Sequence, residues 1–262
     1  MHRALVYATW LTFAAVMYLI LSDFLWHWIH LPYPGDIGFT LIFTLFALLH
    51  CAAAAGWRRM ALCFAIAAVV SYLCEELGVR TGWIYGAYHY SDMLGPKLGH
   101  VPILIPLAWF MMIYPAWIVA RSLLRSVETD SPAGLLGLAV IAALVMTAWD
   151  TVMDPGMAAA GNWVWEQPGP YFGVPMQNYA GWLLTTLLVY LGWGLLARKQ
   201  QAEEIESGFA ALPIWVYGCY GLAYTTPRRI PALQIVALFA MVMPALLALL
   251  QISIPKRTPR LQ

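Results

Sequence analysis

The sequence is poor in charge. Only 10% of its 262 residues are charged, 14 Lys or Arg against 13 Asp or Glu, whereas a typical soluble domain is about a quarter charged. So few charged residues cannot cover the surface of a water-soluble domain of this size. The nearly equal numbers of basic and acidic residues also lack the basic excess of a nucleic-acid-binding protein.

The four cysteines, Cys51, Cys63, Cys74 and Cys219, show no CxxC spacing, which argues against a zinc site or disulfide framework and favours small core residues. No internal repeat or low-complexity tract is present.

Long apolar runs account for the missing charge. Hydrophobic residues make up 62% of the chain and the mean hydropathy is +0.70. A helix needs about 20 apolar residues to cross roughly 30 Å of hydrocarbon. Eight stretches approach that length: 4–22, 37–55, 60–78, 101–124, 133–153, 179–197, 209–226 and 232–251. The first is longer than a signal-peptide core and lacks a small-residue cleavage site, so we predict that it spans the membrane.

These runs predict an all-α fold, a polytopic membrane helix bundle with about eight transmembrane helices in a single integral membrane domain over 1–262. The seventh stretch is the weakest because Pro213, Gly218 and Gly221 interrupt it. Without it the bundle would have seven transmembrane helices. Two long segments, 80–100 and 154–178, are rich in Gly, Pro, Trp and Tyr, which indicates loops folded at the membrane interface.

The basic residues predict the orientation, because cytoplasmic loops carry an excess of Lys and Arg. With eight helices, ten basic residues fall on one side: Arg3, Arg58, Arg59, Arg121, Arg125, Arg198, Lys199, Lys256, Arg257 and Arg260. Four fall on the other: Arg80, Lys97, Arg228 and Arg229. Both termini are therefore expected in the cytoplasm, with the bacterial cytoplasmic membrane as the expected location. Most acids and four histidines fall on the non-cytoplasmic face, where we expect a polar site.

Two carboxylates lie four residues apart near the end of the fifth stretch. Asp150 and Asp154 share one helix face, and two carboxylates that close disfavour each other's ionisation, so the pair can hold a proton and deliver it as a general acid. Asp154 precedes Pro155, and its alternative interpretation is a residue that caps the following turn. Asp150 lies deeper in an apolar helix, and an acid at that depth is a functional candidate by default.

A second pair of acids ends the third stretch. Glu75 and Glu76 point about 100° apart on a helix, so both cannot face one cavity in the same way. Tyr72, one turn back, is placed to hydrogen-bond either of them. Solvation of both acids at a helix end is the alternative interpretation.

Aromatic residues surround these acids in the two long segments. They either anchor the chain at the membrane interface or line a cavity and stabilise a transient cation with their ring faces. The residues are Trp83, Tyr85, Tyr88, Tyr90, Trp163, Trp165 and Tyr171.

Histidines do not form a metal-binding pattern. His27 and His30 form one i,i+3 pair, and His89 and His100 lie in the first long segment, but the several HxxH or HxxHH boxes typical of membrane di-iron oxygenases are absent. We therefore predict no metal and no organic cofactor. His50, within the second stretch, is expected to be a packing histidine.

Several motifs resemble a known family. They are Glu76-Leu-Gly-Val-Arg-Thr-Gly82, Tyr85-Gly-Ala-Tyr-His-Tyr90, Leu94-Gly-Pro96, Val101-Pro-Ile-Leu-Ile-Pro-Leu-Ala-Trp109, Asp150-x3-Asp154-Pro155, Trp163-x-Trp165, Tyr171-Phe-Gly-Val-Pro175 and Asn178-Tyr-Ala-Gly-Trp182. Over about residues 70–182 the chain resembles the carotenoid biosynthesis membrane proteins of the CruF type, a family that includes 1,2-hydratases of acyclic carotenoid ends.

The resemblance implies hydration of a terminal alkene by protonation, formation of a tertiary carbocation and capture by water, without a redox cofactor. Asp150 is the first candidate for the proton donor, with Glu75 and Glu76 next, while His89 and Asp154 would orient the donor or activate water. The residues expected to contact the substrate are Tyr72, Trp83, Tyr85, Tyr88, Trp109, Trp149, Trp163, Trp165 and Asn178. The expected partners are a lipophilic carotenoid, water and the lipid bilayer, and contact with other carotenoid enzymes is left open.

Three other functions remain as alternatives. A carotenoid end cyclase shares the protonation step but lets an internal alkene capture the cation. A membrane prenyltransferase of the UbiA type carries Asn-x3-Asp-x3-Asp and a second aspartate motif; here Met146 stands four residues before Asp150, and basic residues for a diphosphate are few. A non-enzymatic transporter or carotenoid-binding protein is the third, although the related halves typical of transporters are not seen.

Overall fold

The computed structural model describes residues 3–197, 207–226 and 230–254. Helices form nearly all of it: α1 Arg3–Leu25, α2 Gly35–Ala55, α3 Trp57–Thr81, α4 Leu104–Leu123, α5 Pro132–Ala159, α6 Met176–Ala197, α7 Ser207–Ala210, α8 Leu212–Ala223, α9 Pro231–Ala237 and α10 Met243–Ser253. A π-helical turn, Leu238–Val242, joins α9 to α10 into one rod. Within these described ranges, α1 to α5 and the rod Pro231–Ser253 are long and apolar enough to cross a membrane. The chain is an all-α polytopic membrane bundle, as predicted.

The seventh predicted stretch differs from the others. It is divided into α7 and α8, and the 12 residues of α8 rise only about 18 Å at 1.5 Å per residue. That length is short of the roughly 30 Å of a hydrocarbon core. Its side chains are nevertheless buried against the bundle, among them Leu212, Ile214 and Tyr217.

The fifth helix extends beyond its predicted end at 153 and continues through Pro155 to Ala159. A proline inside a helix has no N–H and deprives the carbonyl four residues earlier of its donor. Here that carbonyl belongs to Thr151, and the Tyr171 hydroxyl donates to it at 3.0 Å. An external hydroxyl thus replaces the missing helix bond, and the interpretation of Asp154 as a cap of a new turn is wrong.

The two long segments pair with each other, which the sequence did not predict. In the first, β1 Tyr88–Tyr90 runs antiparallel to β4 Trp163–Trp165 of the second. We call this pair the β1–β4 ribbon. A hairpin of β2 Lys97–Leu98 and β3 Val101–Pro102 follows β1, so α4 begins later than the predicted residue 101. Strands of two or three residues are too short to leave a readable alternation in the sequence.

Two glycines allow Tyr85, at the start of the first segment, to pack between α3 and α6. The ring is 1% exposed, and its hydroxyl lies 2.8 Å from Thr185 Oγ1. A Cβ atom added at Gly78 would lie 2.7 Å from the Tyr85 ring, and one added at Gly181 would lie 2.5 Å from it. Both distances are too short for real Cβ contacts, so glycine at each position makes this close packing sterically possible.

The core at the other end of the bundle contains the predicted packing histidine. His50 Nδ1 lies 2.7 Å from the Tyr114 hydroxyl, and His50 Nε2 lies 2.9 Å from the Phe209 carbonyl oxygen. Both ring nitrogens are therefore paired, and the contacts join α2, α4 and α7. The cysteines are free, and Cys51 and Cys63 are buried in the same region.

Candidate active site

A cavity of about 230 Å³ lies at the end of the bundle where α3 and α5 end and where α4 and α6 begin. Asp23, near the end of α1, and Asp36, in the first turn of α2, also line it. The acids at the ends of the third and fifth helices therefore meet on one side, as predicted. Besides α3 to α6, the helices α1, α2 and α8 also contribute residues to the cavity lining.

The cavity is acidic and aromatic. Its carboxylates are Asp23, Asp36, Glu75, Asp150 and Asp154, and none of the described lining residues is Lys, Arg or His. Its aromatic residues are Tyr33, Phe39, Tyr85, Tyr88, Tyr90, Trp109, Trp149, Trp163, Trp165, Trp182, Tyr220 and Tyr224. Carboxylates and ring faces both stabilise a cation, whereas a diphosphate is bound by Arg and Lys. The lining therefore suits a positively charged intermediate better than a phosphorylated substrate.

Glu75 accepts three hydrogen bonds from buried donors. The Tyr88 and Tyr90 hydroxyls both donate to Oε2, the second at 2.8 Å, and Trp109 Nε1 donates to Oε1 at 2.9 Å. Burial raises the pKa of Tyr88 and of Tyr90 well above the ordinary value for tyrosine, so both phenols stay protonated and remain donors. Alternation along β1 directs these two side chains to the same side of the ribbon.

Asp150 and Asp154 are joined by one amide. Asn178 Nδ2 donates to Asp150 Oδ2 at 2.9 Å and to Asp154 Oδ2 at 2.7 Å, which confirms that the two acids share a helix face. Trp163 Nε1 donates to the other oxygen of Asp154 at 2.6 Å. By contrast, Asp150 Oδ1 is buried and has no hydrogen-bond partner among the described residues. The side chains of Asp150, Asp154 and Asn178 are each at most 2% exposed.

Stacked rings form a wall beside these acids. Trp109 and Trp182 stack with centroids 3.9 Å apart, and Trp149 meets Trp182 edge to face at 5.8 Å. Tyr220 of α8 continues the wall, 6.5 Å from Trp149. Sequence reasoning missed Trp182 and Tyr220 as site residues because they lie in apolar helices without a polar pattern. The only signal was that Trp182 ends one of the quoted motifs.

Two predicted site residues of α3 lie outside the cavity. Glu76 accepts hydrogen bonds from His100 N, at 2.9 Å, and pairs with His100 Nδ1, also at 2.9 Å. The Tyr72 hydroxyl donates to the Leu98 carbonyl at 3.4 Å and contacts neither glutamate. Tyr72 and Glu76 are four residues apart, so they share the face turned to the β2–β3 hairpin, while Glu75 faces the bundle.

Two further predicted residues also lie outside the cavity. His89 points away from Tyr88 and Tyr90 on β1, and its Nδ1 lies 2.6 Å from Glu166 Oε1 on the exposed side of the ribbon. Trp83, in the turn after α3, is 77% exposed. The other residues expected to contact the substrate line the cavity: Tyr85, Tyr88, Trp109, Trp149, Trp163, Trp165 and Asn178.

The acids and histidines do not gather as a metal site would require. Within residues 3–197, 207–226 and 230–254, no group of three or more His, Cys, Asp or Glu side chains is arranged to hold a metal ion.

Comparisons with known proteins identify relatives. The profile of a family described as carotenoid biosynthesis protein matches residues 35–255, well beyond the segment 70–182 that holds the quoted motifs. The bisanhydrobacterioruberin hydratase of Haloarcula japonica is 40% identical over 129 residues, which are 49% of this chain and 42% of the relative. The aligned part is thus less than half of either protein. No solved structure matches the chain.

Proposed function

The chain belongs to the carotenoid biosynthesis protein family, and on that premise we propose that it is a hydratase, adding water to the terminal 1,2 double bond of an acyclic carotenoid end. The activity named for the relative supports this proposal. A site within a membrane bundle also suits a substrate that is confined to the bilayer. The observation that carries the mechanism is the unpartnered oxygen of Asp150.

Hydrogen-bond accounting indicates which acid holds the proton. An amide nitrogen only donates, so Asp150 Oδ2 and Asp154 Oδ2 both act as acceptors toward Asn178. Asp154 Oδ1 accepts from a tryptophan N–H, which also only donates. Among the described contacts, Asp150 Oδ1 is thus the one carboxyl oxygen of this pair that accepts no hydrogen bond, and we assign the proton to it. A carboxylic acid kept neutral by its surroundings is a competent general acid.

The reaction then needs two steps. The O–H bond at Asp150 Oδ1 breaks as a C–H bond forms at C2, which leaves a tertiary cation at C1. Water next forms a C–O bond to C1, and one of its protons returns to Asp150 Oδ1. Atoms and charge balance, Asp150 is regenerated, and no redox cofactor is required.

Glu75 and the ring wall would stabilise the cation. Glu75 already accepts three hydrogen bonds, and donors to both oxygens favour the ionised form, which burial by itself disfavours. A fixed negative charge and fixed ring faces in a site of low dielectric stabilise developing positive charge without reorganisation. Glu75 therefore takes a different role from Asp150, as a counter-charge rather than a proton donor.

The orientation is part of the proposal. Among the described basic residues, Arg3, Arg58 and Arg59 begin α1 and α3 at the end away from the cavity, and Arg121 lies in the last turn of α4. Seven others lie outside the described residues: Arg198, Lys199, Arg228, Arg229, Lys256, Arg257 and Arg260. Phe209 of α7 lies beside His50 at the end away from the cavity, and Tyr220 of α8 lines the cavity, so α7 and α8 together count as one crossing. We place both termini on the cytoplasmic side of the bacterial cytoplasmic membrane and the site at the other face.

Cysteine labelling tests this orientation. Val164 lies on the outward side of β4 and is exposed. In intact spheroplasts, Val164→Cys should react with a membrane-impermeant thiol reagent, while the unsubstituted protein supplies the background. Reaction only after the membranes are opened would place the ribbon in the cytoplasm.

Isotopic water tests the reaction. Purified protein in lipid vesicles is given lycopene, a representative acyclic carotenoid, in D₂O or in heavy-oxygen water. We expect a product heavier than lycopene by one water, with one carbon-bound deuterium from D₂O and the hydroxyl oxygen from labelled water, because the proton and the oxygen both come from solvent.

The same experiment separates the alternatives. An isomer of unchanged mass would identify an end cyclase, and unchanged lycopene would support binding or transport. Oxygen derived from labelled O₂ instead of water would overturn the hydratase proposal in favour of an oxygenase.

A further inference from the structure

Four of the five tryptophans that line the cavity fall into two kinds according to their indole N–H groups. Those of Trp109 and Trp163 donate to carboxylates, at 2.9 Å and 2.6 Å. Those of Trp149 and Trp165 are buried and have no acceptor in hydrogen-bonding geometry within the described part of the protein, and the Trp165 indole lies close to Asp154. Both of the latter residues line the cavity. The two residues with unpartnered donors therefore line the same enclosed space as the acids.

A buried donor without an acceptor is rare in folded proteins, and such groups are usually satisfied by ordered water or a ligand. The proposed substrate end is a hydrocarbon and offers no acceptor atom. Water is the only polar reactant of the proposed reaction, and its oxygen accepts an N–H hydrogen bond. A polar site with two or more partners retains a water molecule.

We propose that the indole N–H groups of Trp149 and Trp165 bind the reacting water molecule and so determine that the cation is captured by water. This inference rests on the proposed hydratase function.

The two donors have the right neighbours for this role. Trp149 precedes Asp150 on α5, and both residues line the cavity. Trp165 lies on β4, in another wall, where its ring packs 5.0 Å from that of Tyr88. Once Asp150 Oδ1 has given its proton away, that oxygen accepts an O–H of the water while the indoles hold the water oxygen. As the C–O bond to C1 forms, the lone pair that makes it is released from one of the two indole N–H groups, and the water loses its proton to Asp150.

The outcome of the reaction depends on this capture. A tertiary cation otherwise returns a proton from C2 to Asp150 and becomes an alkene again, or it closes a ring with an internal alkene. A water molecule already bound next to C1 competes with both. The indole N–H groups therefore act after protonation, and their loss should change the product more than it changes proton transfer.

Phenylalanine substitutions isolate the N–H from the ring. Trp149→Phe and Trp165→Phe each keep an aromatic face but remove the donor. In D₂O, we measure hydrated product and deuterium in the recovered lycopene. Each variant should hydrate about tenfold more slowly, the size expected for one lost hydrogen bond, while the ratio of deuterium exchange to hydration rises by a similar factor.

Trp193→Phe is the matched control. Trp193 lies on α6, is buried, and also has an N–H without a described partner, but it packs against Trp117 and is not among the cavity-lining residues. It should leave the ratio unchanged. The ratio is measured within each sample, so it does not depend on the yield of folded protein, and the two test variants lie on different elements.

Three outcomes are distinct. A raised ratio in either cavity variant, with an unchanged ratio in Trp193→Phe, supports the water site. Ratios that match Trp193→Phe in both cavity variants overturn it, even though the wild-type enzyme hydrates. A wild-type protein that neither hydrates nor exchanges deuterium shows instead that the proposed function is wrong.

Discussion

Replacing Asp150 with asparagine should lower hydration of the carotenoid end by about 10²- to 10⁴-fold, the range that general acid catalysis supplies. The amide keeps the size of the side chain and can still accept a hydrogen bond from Asn178, but it has no transferable proton. Deuterium exchange into recovered substrate should fall by the same factor, since exchange also begins with protonation. The rate is measured with lycopene in vesicles and is normalised to the amount of protein in the membrane.

The variant should insert and fold, because a neutral amide costs less within a membrane than a carboxylate does. Asp92→Asn provides a control, since Asp92 is exposed and pairs with Lys97 at 2.9 Å outside the cavity. It should retain near-normal turnover. If Asp150→Asn retains near-normal turnover as well, Asp150 is not the proton donor and the assignment moves to α3.

Replacing Glu75 with glutamine should lower turnover by about 10²- to 10³-fold, comparable to the loss of one preorganised electrostatic group in other active sites. The substitution removes the negative charge opposite the cation. It also brings an amide N–H₂ against Tyr88, Tyr90 and Trp109, whose groups all donate to Glu75 in the native protein. The loss should appear in kcat rather than KM, since the charge acts on the cation and not on the neutral substrate.

Glu76→Gln is the matched control for this prediction. The two residues are adjacent on the same helix, and each substitution removes one negative charge. Glu76, however, pairs with His100 outside the cavity. Its variant should remain close to wild type. Loss of activity in Glu76→Gln together with retention in Glu75→Gln would contradict the role given to Glu75. If the Asp150, Glu75 and Glu76 variants all stay active, the acid mechanism itself is wrong.

The sequence alone determined the features of this protein that depend on local patterns. Runs of about 20 apolar residues predict membrane helices because hydrocarbon thickness sets their length. The four-residue spacing of Asp150 and Asp154 places them on one face because helix geometry is local. Counting the predicted membrane crossings along the chain also placed the ends of the third and fifth helices on the same side of the membrane. The cavity lies at that side.

Only the tertiary structure decided which of the candidates meet. A helix places Glu75 and Glu76 on different faces, but the packing of α3 against α4 and α6 is what turns Glu75 inward. The β1–β4 ribbon then brings Tyr88 and Tyr90 to it. Neither the packing of α3 against α4 and α6 nor the contact of the β1–β4 ribbon with Glu75 leaves a periodic signal in the sequence, because each joins residues on separate elements.

The same reason applies to Asp150, the proposed proton donor. Asn178 reaches Asp150 from 28 residues away along the chain, and the sequence offers no means of deciding that its amide would occupy one oxygen of each aspartate. The unpartnered Asp150 Oδ1 is what remains after those contacts are made. Local sequence specified a pair of acids, and long-range packing decided which of their oxygens is left without a partner among the described residues.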